Sequence, residues 1–378
     1  MISSTPLKLL SSVAALGLIS GCMATSVPAP EFNTNASAAS QADSFIDVEN
    51  GDYMKGVKRV GVMSCNVMFG MTSSASASTS GGFRAGRTRA MGTVTRSDVT
   101  VTVTYSAAGI PEATLQGIAN QLCTDAEAQL ANAGFEVVPH ETIKANPHYQ
   151  NIHAQGRDAA FEYKGKGDTR YLVLARPGET IYDPRYAGTM SGFGQAFKAV
   201  GGDAAEQLED YLMKDLSMTG VNINLMVDFA ELESDGNSSW GGLSNKDSAS
   251  VDSKIQLAVG GDVRFQPITQ QDCWNEWGKE KCMVKLHHQP VFGSKHFVAS
   301  KVPFYSSIED TTSTGEKVYS GVTKVLGALS AIGGTSSSIA RDITRYQVNV
   351  VPEIYQAETQ KLADGLLAMA ASKAATQK

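Results

Sequence analysis

The chain has 378 residues, a net charge of −6 and a pI near 5.6, and only 19% of its residues are charged. This balance offers no basic surface for a phosphate backbone, so we expect no nucleic-acid partner. The length exceeds that of one typical domain of about 100 to 200 residues. It predicts either two domains or one domain with large insertions.

The amino-terminal region predicts export. Lys8 precedes residues 9–20, an uncharged and mostly apolar stretch. This stretch matches the hydrophobic core of a secretory signal and is too short to span a bilayer. We therefore assign residues 1–21 to a cleaved signal peptide.

A lipid-attachment motif follows. Residues 18–22 read Leu-Ile-Ser-Gly-Cys, which resembles the lipobox of bacterial lipoproteins. The resemblance implies that the Cys22 thiol is acylated, and two chains hold a protein stably at a membrane. Met23 in place of an aspartate implies sorting to the outer membrane, with the body facing the periplasm. The alternative is an ordinary secreted protein in which Cys22 lies beside the cleavage site by chance.

The next segment differs in composition from the rest. Residues 23–47 contain many Ala, Ser, Pro and Asn residues and few large apolar ones. Such a composition cannot bury enough apolar surface to offset the entropy that ordering removes. We predict a lipidated flexible tether over residues 22–50 and a folded body over residues 51–378.

The body opens with a strand and an insertion. Residues 58–67 are typical of a buried strand, and the Ser-, Ala- and Gly-rich residues 72–92 predict a mobile surface loop. Residues 99–105 then alternate apolar side chains with threonine, which is the period of a strand with one polar face. The insertion therefore lies near residues 71–106.

An amphipathic helix comes next. Pro111 favours a helix start, apolar residues then recur at three- and four-residue steps, and Gly134 suits a left-handed helix end. Apolar runs at residues 135–139 and 171–175 predict strands, and residues 204–216 predict a second helix. Strand, helix and strand in this order indicate an α/β core.

The carboxyl-terminal half predicts antiparallel strands. Residues 221–229 alternate, turn through residues 234–237 and meet a second strand over residues 255–265. A strand at residues 346–351 and a helix at residues 353–372 follow. The predicted fold class is α/β, or α+β, with a mixed sheet, packed helices and additional antiparallel strands.

Four cysteines follow Cys22, and export places them where disulfides persist. Cys273 and Cys282 flank a short turn-like segment, so we predict a disulfide that closes this hairpin. Cys65 lies in a predicted strand and Cys123 on a predicted helix. These two either pair or are small buried hydrophobes, and geometry decides between the outcomes.

Two groups of side chains suggest binding. His287, His288 and His296 lie close in sequence, but there is no HExxH or paired CxxC motif and zinc needs ligands at about 2.0 to 2.3 Å. We interpret them as solvated strand residues and predict no metal, no cofactor and no catalytic residue. Trp274 and Trp277 either form a binding knob or pack on their own hairpin.

The order of elements resembles a module of the bacterial envelope. The elements that carry the resemblance are the strand at residues 58–67, the helix at residues 113–133 that is followed by Gly-Phe-Glu-Val-Val, and the strands at residues 171–175 and 221–227. They are similar to curli-secretion lipoproteins of the CsgG type, to the TolB amino-terminal domain and to lipoprotein activators of penicillin-binding proteins. The resemblance covers about half of the mature chain.

This resemblance implies an envelope scaffold, a secretion-channel subunit or an enzyme-activating partner. Curli-type channels carry a membrane-crossing hairpin where this chain has a charged helical segment at residues 203–216, which argues against a pore of that design. We expect a non-enzymatic structural or assembly component of a cell-envelope complex, with envelope protein partners or as a homo-oligomer. The alternatives are a lipoprotein activator of a peptidoglycan synthase and an exported hydrolase.

Overall fold

The computed structural model describes residues 30–78, 96–165, 167–182, 206–237, 248–267, 271–284, 289–313 and 337–378. The α-helices of these residues are α1 Ala38–Phe45, α2 Glu112–Asn132, α3 His140–Lys144, α4 Pro147–His153, α5 Glu206–Asp215 and α6 Pro352–Ala375. The strands are β1 Ile46–Glu49, β2 Arg59–Ser78, β3 Arg96–Ala108, β4 Glu136–Val137, β5 Phe161–Lys164, β6 Arg170–Leu174, β7 Thr219–Asn237, β8 Ser248–Gln266, β9 Gln271–Glu276, β10 Lys279–Val284, β11 Val291–Ser294, β12 Val298–Ala299, β13 Tyr305–Asp310 and β14 Ser337–Val350.

One mixed sheet organises the described residues. Its main path is β1-β11-β8-β7-β2-β3-β14-β13, with β4, β5, β6 and β12 paired alongside. The pairs β2–β7, β2–β4 and β3–β14 are parallel, and the other pairs of this sheet are antiparallel. Strands β9 and β10 form a separate hairpin. The predicted α/β fold class is confirmed.

Helices cover both faces of the sheet. Helices α1, α2 and α6 share the main core with the apolar side chains of β2, β7 and β8. Helices α3, α4 and α5 form a second core around Met63 of β2. Because successive strand residues point to opposite faces, the two cores lie on opposite sides of the sheet.

Helix α2 follows from its sequence as predicted. The residues spaced at three and four are all buried: Leu115, Ile118, Leu122, Ala126 and Leu130. Gly134 adopts a positive φ of 84° directly after the helix, where a left-handed residue satisfies the last carbonyls. The Cys65–Cys123 disulfide ties the buried face of α2 to β2 across 58 residues of sequence.

The predicted flexible tether is wrong for residues 38–49. Residues 38–45 form α1 with Ser37 as its N-cap, and β1 pairs with β11. The composition of this segment suggested a flexible chain, but alanine favours helices. Two large apolar residues supply the packing. Phe45 and Ile46 are 1% and 4% exposed.

The insertion is also more regular than expected. Residues 72–78, predicted as part of a loop, extend β2 and pair with residues 100–106 of β3. Hydroxyl pairs join the two strands, with Ser76 and Thr102 at 2.7 Å and Ser74 and Thr104 at 3.0 Å. Likewise residues 234–237, predicted as a turn, continue β7 opposite β8, so the antiparallel pairing is confirmed and the turn position is wrong.

Strand β2 changes its partner along its length. It runs parallel to β7 up to the pair Phe69–Val227 and antiparallel to β3 from the pair Thr72–Ser106. Strand β7 continues in its hairpin with β8, and its register shifts between Asp228 and Ala230. We call this region, residues 69–72 of β2 with residues 227–230 of β7, the fork.

Candidate functional site

A cleft of about 990 Å³ opens beside the fork. Its walls come from residues 30–34, from β7 and β8, from residues 295–305 and from helix α6. Ligand pockets in proteins typically enclose about 300 to 1,000 Å³. The cleft therefore has room for a ligand of that class, and it is our candidate site.

Asp228 lines the cleft where β7 leaves β2. Its Oδ1 accepts hydrogen bonds from the backbone amides of Phe229 at 2.7 Å and Ala230 at 3.4 Å, and from the Ser73 hydroxyl at 3.3 Å. These three donors are neutral, and burial raises the pKa of this carboxyl above its ordinary value. Gly70 leaves room for it, since a Cβ there would lie 2.9 Å from Oδ1.

A short hydrogen bond holds two walls together. Ser300 Oγ donates to Glu358 Oε2 on α6 at 2.5 Å and accepts the backbone N–H of Val302 at 3.0 Å. The other carboxylate oxygen of Glu358 lies 3.4 Å from Lys361 Nζ. This bond fixes residues 295–305 against α6 and so maintains the shape of the cleft.

Residues 30–34 form an arm along the cleft. Glu31 Oε2 lies 2.7 Å from Lys301 Nζ. The hydrogen bond and charge of Lys301, with a smaller contribution from Lys254, lower the pKa of Glu31. The arm thus pairs a carboxylate with Lys301, and the charge of Lys254 on β8 acts on the same carboxylate.

An aromatic residue fixes the same arm to α6. The Phe32 ring meets the Phe45 ring edge-on, with 6.0 Å between centroids. It also packs against Gly365, where a Cβ would lie 2.3 Å from the ring. Only glycine leaves space for this aromatic contact, so the arm belongs to the fold.

The cleft lining mixes charge with apolar surface. Its lysines are Lys254, Lys295, Lys301 and Lys361, and its carboxyl groups are Glu31, Asp228, Glu231 and Glu358. Apolar side chains lie beside them: Phe32, Ile255, Phe297, Val302, Tyr305 and Leu362. Glu231 is directly opposite Lys254 in the β7–β8 register. Such a lining suits a ligand with an apolar part and a charged part.

The structure describes one of the three predicted histidines. His296 lines the cleft, whereas His287 and His288 lie outside the described residues. Across the described ranges, no three His, Cys, Asp or Glu side chains are grouped to hold a metal ion.

The other predicted cysteine sites are Cys22 and the Cys273–Cys282 pair. Cys22 lies outside the described residues. Cys273 is disulfide-bonded, and the β9–β10 register puts Cys282 directly opposite it. The pairing of Cys273 with Cys282 stays a prediction that this register favours.

The two tryptophans of this hairpin differ in exposure. Trp274 is 40% exposed, and Trp277 at the turn is 96% exposed. Trp277 and Gly278 both have positive φ angles, 52° and 75°, as a two-residue type I′ turn requires. Because tryptophan is strained in this conformation, the turn holds an aromatic ring in water at a cost in stability.

A second polar region lies where α2, α3 and the segment after β6 meet, and we call it the closed network. It joins His140 of α3, Glu127 of α2, and Arg176 and Glu179 after β6. Three contacts of 2.6 Å link them: Arg176 Nη1 to His140 Nδ1, His140 Nε2 to Glu179 Oε1, and Arg176 Nη2 to Glu127 Oε1. Arginine can only donate, so His140 Nδ1 accepts and His140 Nε2–H donates to Glu179.

Neither polar region was predicted as a site from the sequence. Asp228 carried a signal, since it occupies a polar position of the alternating run 221–229, where Asn222 and Asn224 are buried and hydrogen-bonded to β2. Polar residues that alternate yet stay buried mark a sheet face covered by protein. Glu31 and Ser300 carried no such local pattern.

Within the part of the chain that the structure describes, no helix combines the length and apolar character needed to cross a bilayer. Comparisons with protein-family models, with curated proteins and with solved structures gave no match for this chain.

Proposed function

We propose that this chain is a non-enzymatic lipoprotein that acts as a structural or assembly component of a cell-envelope complex. Lipid on Cys22 anchors it to the outer membrane, and its body faces the periplasm. Its partners are envelope proteins or further copies of the chain.

The observation that carries this proposal is the short sequence separation between Cys22 and the cleft. Pro30 already lines the cleft, and it follows Cys22 by eight residues. Eight residues span at most about 28 Å when fully extended. An acyl group on Cys22 therefore holds the cleft close to the bilayer, because α1 and β1 belong to the body and add no length to the linker.

An exposed surface feature supports a partner protein. Trp277 presents its ring to solvent on a hairpin that contains the disulfide-bonded Cys273. Aromatic side chains supply much of the binding energy at protein interfaces. A strained and exposed tryptophan is better explained by a partner than by the stability of the hairpin.

The proposal is tested by membrane fractionation and native mass measurement of the wild type beside Cys22→Ala. We expect wild type in the membrane fraction within a large assembly, and the variant released. A third variant carries a long Gly-Ser insert between residues 24 and 29, so that only the length of the linker changes. It should stay at the membrane but lose the assembly, because the insert lets the cleft move away from the bilayer. Soluble monomers for both wild type and Cys22→Ala would contradict the proposal.

An exported hydrolase is the alternative of another class, and the Ser300–Glu358 hydrogen bond at the cleft favours it. A fluorophosphonate probe labels activated serines, so it separates the two functions. A hydrolase of this kind would be labelled at Ser300 and not after Ser300→Ala. Under our proposal wild type and variant remain equally unlabelled.

A further inference from the structure

The arm of the cleft contains an internal anion. The Glu31 carboxylate lies 2.7 Å from Lys301 Nζ, and the charge of Lys254 on β8 makes a smaller contribution to lowering the pKa of Glu31. Both members of the ion pair are strongly exposed, at 77% for Glu31 and 76% for Lys301. Exposed ion pairs contribute little to stability. An incoming acidic group can therefore replace Glu31 on these lysines at small cost.

Apolar side chains lie in the same cleft. Ile255 follows Lys254 directly on β8, and Val302 follows Lys301. Val302 is 42% exposed, which is unusual enough to count among the few large exposed apolar residues described. Phe297 and Leu362 extend this lining to β12 and to α6. The lysines and these apolar side chains thus line the same cleft.

We propose that the cleft binds an anionic single-chain amphiphile of the fatty-acid or lysophospholipid class, which it takes from the adjacent membrane. The acidic head replaces the Glu31 carboxylate on Lys301 and Lys254. The hydrocarbon chain lies along Ile255, Phe297 and Val302. The membrane as source rests on the proposed function, whereas the site itself rests on the cleft.

Charge and position favour this occupant over an acidic peptide. The cleft begins eight residues after Cys22, so the bilayer is the nearest source of ligand. Apolar lining next to lysines matches a molecule whose charge is confined to one end. The Glu31 side chain then acts as an internal competitor that covers the lysines while the cleft is empty.

The test uses the full mature chain with Cys22→Ala, so that no covalent lipid competes. The probe is the fluorescent fatty acid cis-parinaric acid, and its methyl ester is the uncharged counterpart. We expect binding of the acid, with a dissociation constant about five-fold weaker in Lys301→Gln and in Lys254→Gln. Lys144→Gln, an exposed lysine on α3, is the matched control and should bind like the parent.

A variant that binds the acid more tightly shows that the effects do not come from misfolding. Glu31→Gln removes the competing carboxylate, so it should bind the acid about three-fold more tightly than the parent and leave the ester unchanged. Ala299→Phe fills the cleft and should abolish binding of both probes.

Three outcomes would overturn the proposal. One is that both lysine variants bind the acid as tightly as the parent does, since the lysines then play no part. Another is that inorganic phosphate displaces the probe as well as lysophosphatidylglycerol does, which would make this a site for free anions. The third is tighter binding of a peptide that copies residues 30–36. The assay is done in solution, so a failure of membrane fractionation removes only the source of the ligand.

Discussion

The closed network and the cleft use the same kinds of side chains for different ends. In the closed network, Arg176 lies between the His140 ring and the Glu127 carboxylate, and Glu179 is only 5% exposed. In the cleft, the Glu31–Lys301 pair is largely exposed. Charges that find all their partners inside the protein hold elements together. Charges that face open volume remain free to exchange partners with a ligand.

Two carboxyl groups show the difference in their pKa values. Burial acts to raise the pKa of Glu179, but the hydrogen bond from His140 and the charge of Arg176 hold it below its ordinary value. Burial also raises the pKa of Asp228, and its neutral donors do not reverse the effect. The charge of the neighbours therefore decides the direction in which the pKa of a buried carboxyl shifts.

The largest expected effect comes from the disulfide beneath the closed network. Arg176 donates to the backbone carbonyl of Cys123, so the Cys65–Cys123 bridge positions α2 for this contact. Closing a loop of this length stabilises a protein by about 4 kcal/mol. Cys65→Ala with Cys123→Ala should lower the free energy of urea unfolding by that order.

Reductant provides the control for this prediction. Wild type treated with reductant should fall to the stability of the double variant, which should itself be insensitive. If wild type and variant unfold alike without reductant, the bridge does not support the network.

Removing one charge from each region tests the comparison directly. Arg176→Met leaves Glu127 and Glu179 without their cation and should destabilise the protein by about 3 kcal/mol, measured by urea unfolding. The matched variant in the cleft, Lys301→Met, breaks an exposed pair and should leave the free energy of unfolding nearly unchanged. Equal costs would mean that the cleft is as closed as the network.

The two carboxyl groups should respond to pH with opposite signs. Glu179→Gln should cost about 2 kcal/mol at neutral pH. This difference should shrink in acid, because a lowered pKa gives stability that is lost as the pH falls through the folded-state pKa. Asp228 has a raised pKa, so its contribution to the free energy of unfolding is fully present in acid. That contribution is lost as the pH rises through the folded-state pKa. Asp228→Asn should therefore gain on wild type as the pH increases.

Urea unfolding of wild type and both variants, from acid to neutral pH, measures these differences. Curves that stay parallel for Asp228→Asn would show that this carboxyl does not titrate differently in the folded state.

The smallest expected effect lies outside both regions. Trp277→Asn creates an Asn-Gly pair, the preferred sequence of a type I′ turn. It should raise the free energy of unfolding by about 1 kcal/mol because asparagine tolerates the left-handed conformation. Thermal unfolding measures this gain, and Trp274→Asn on the adjacent strand, which has no such strain, should show none.

Sequence patterns predicted elements whose packing is local. Helix α2 was found because Leu115, Ile118 and Leu122 recur on one face, and Gly134 marks its end. The Cys65–Cys123 pair was left open because spacing does not fix a distance between a strand and a helix. Helix α1 was missed because a single aromatic residue, Phe45, provides most of its anchoring.

The cleft had no pattern for sequence to detect. It joins Glu31, Asp228, Lys254, Ser300 and Glu358, which come from separate elements. Only the sheet order and the divergence of β7 from β2 bring them together. The closed network is hidden for the same reason, since its members come from α2, α3 and the segment after β6.

The position of β14 has a consequence for the order of folding. It lies between β3 and β13, and α6, which follows it, packs on α1 and α2. Residues near the two ends of the described chain must therefore meet before the sheet and the main core are complete. Contacts so distant in sequence slow folding and leave partly built sheets exposed. The partly folded protein would then remain open to chaperones and proteases until α6 docks.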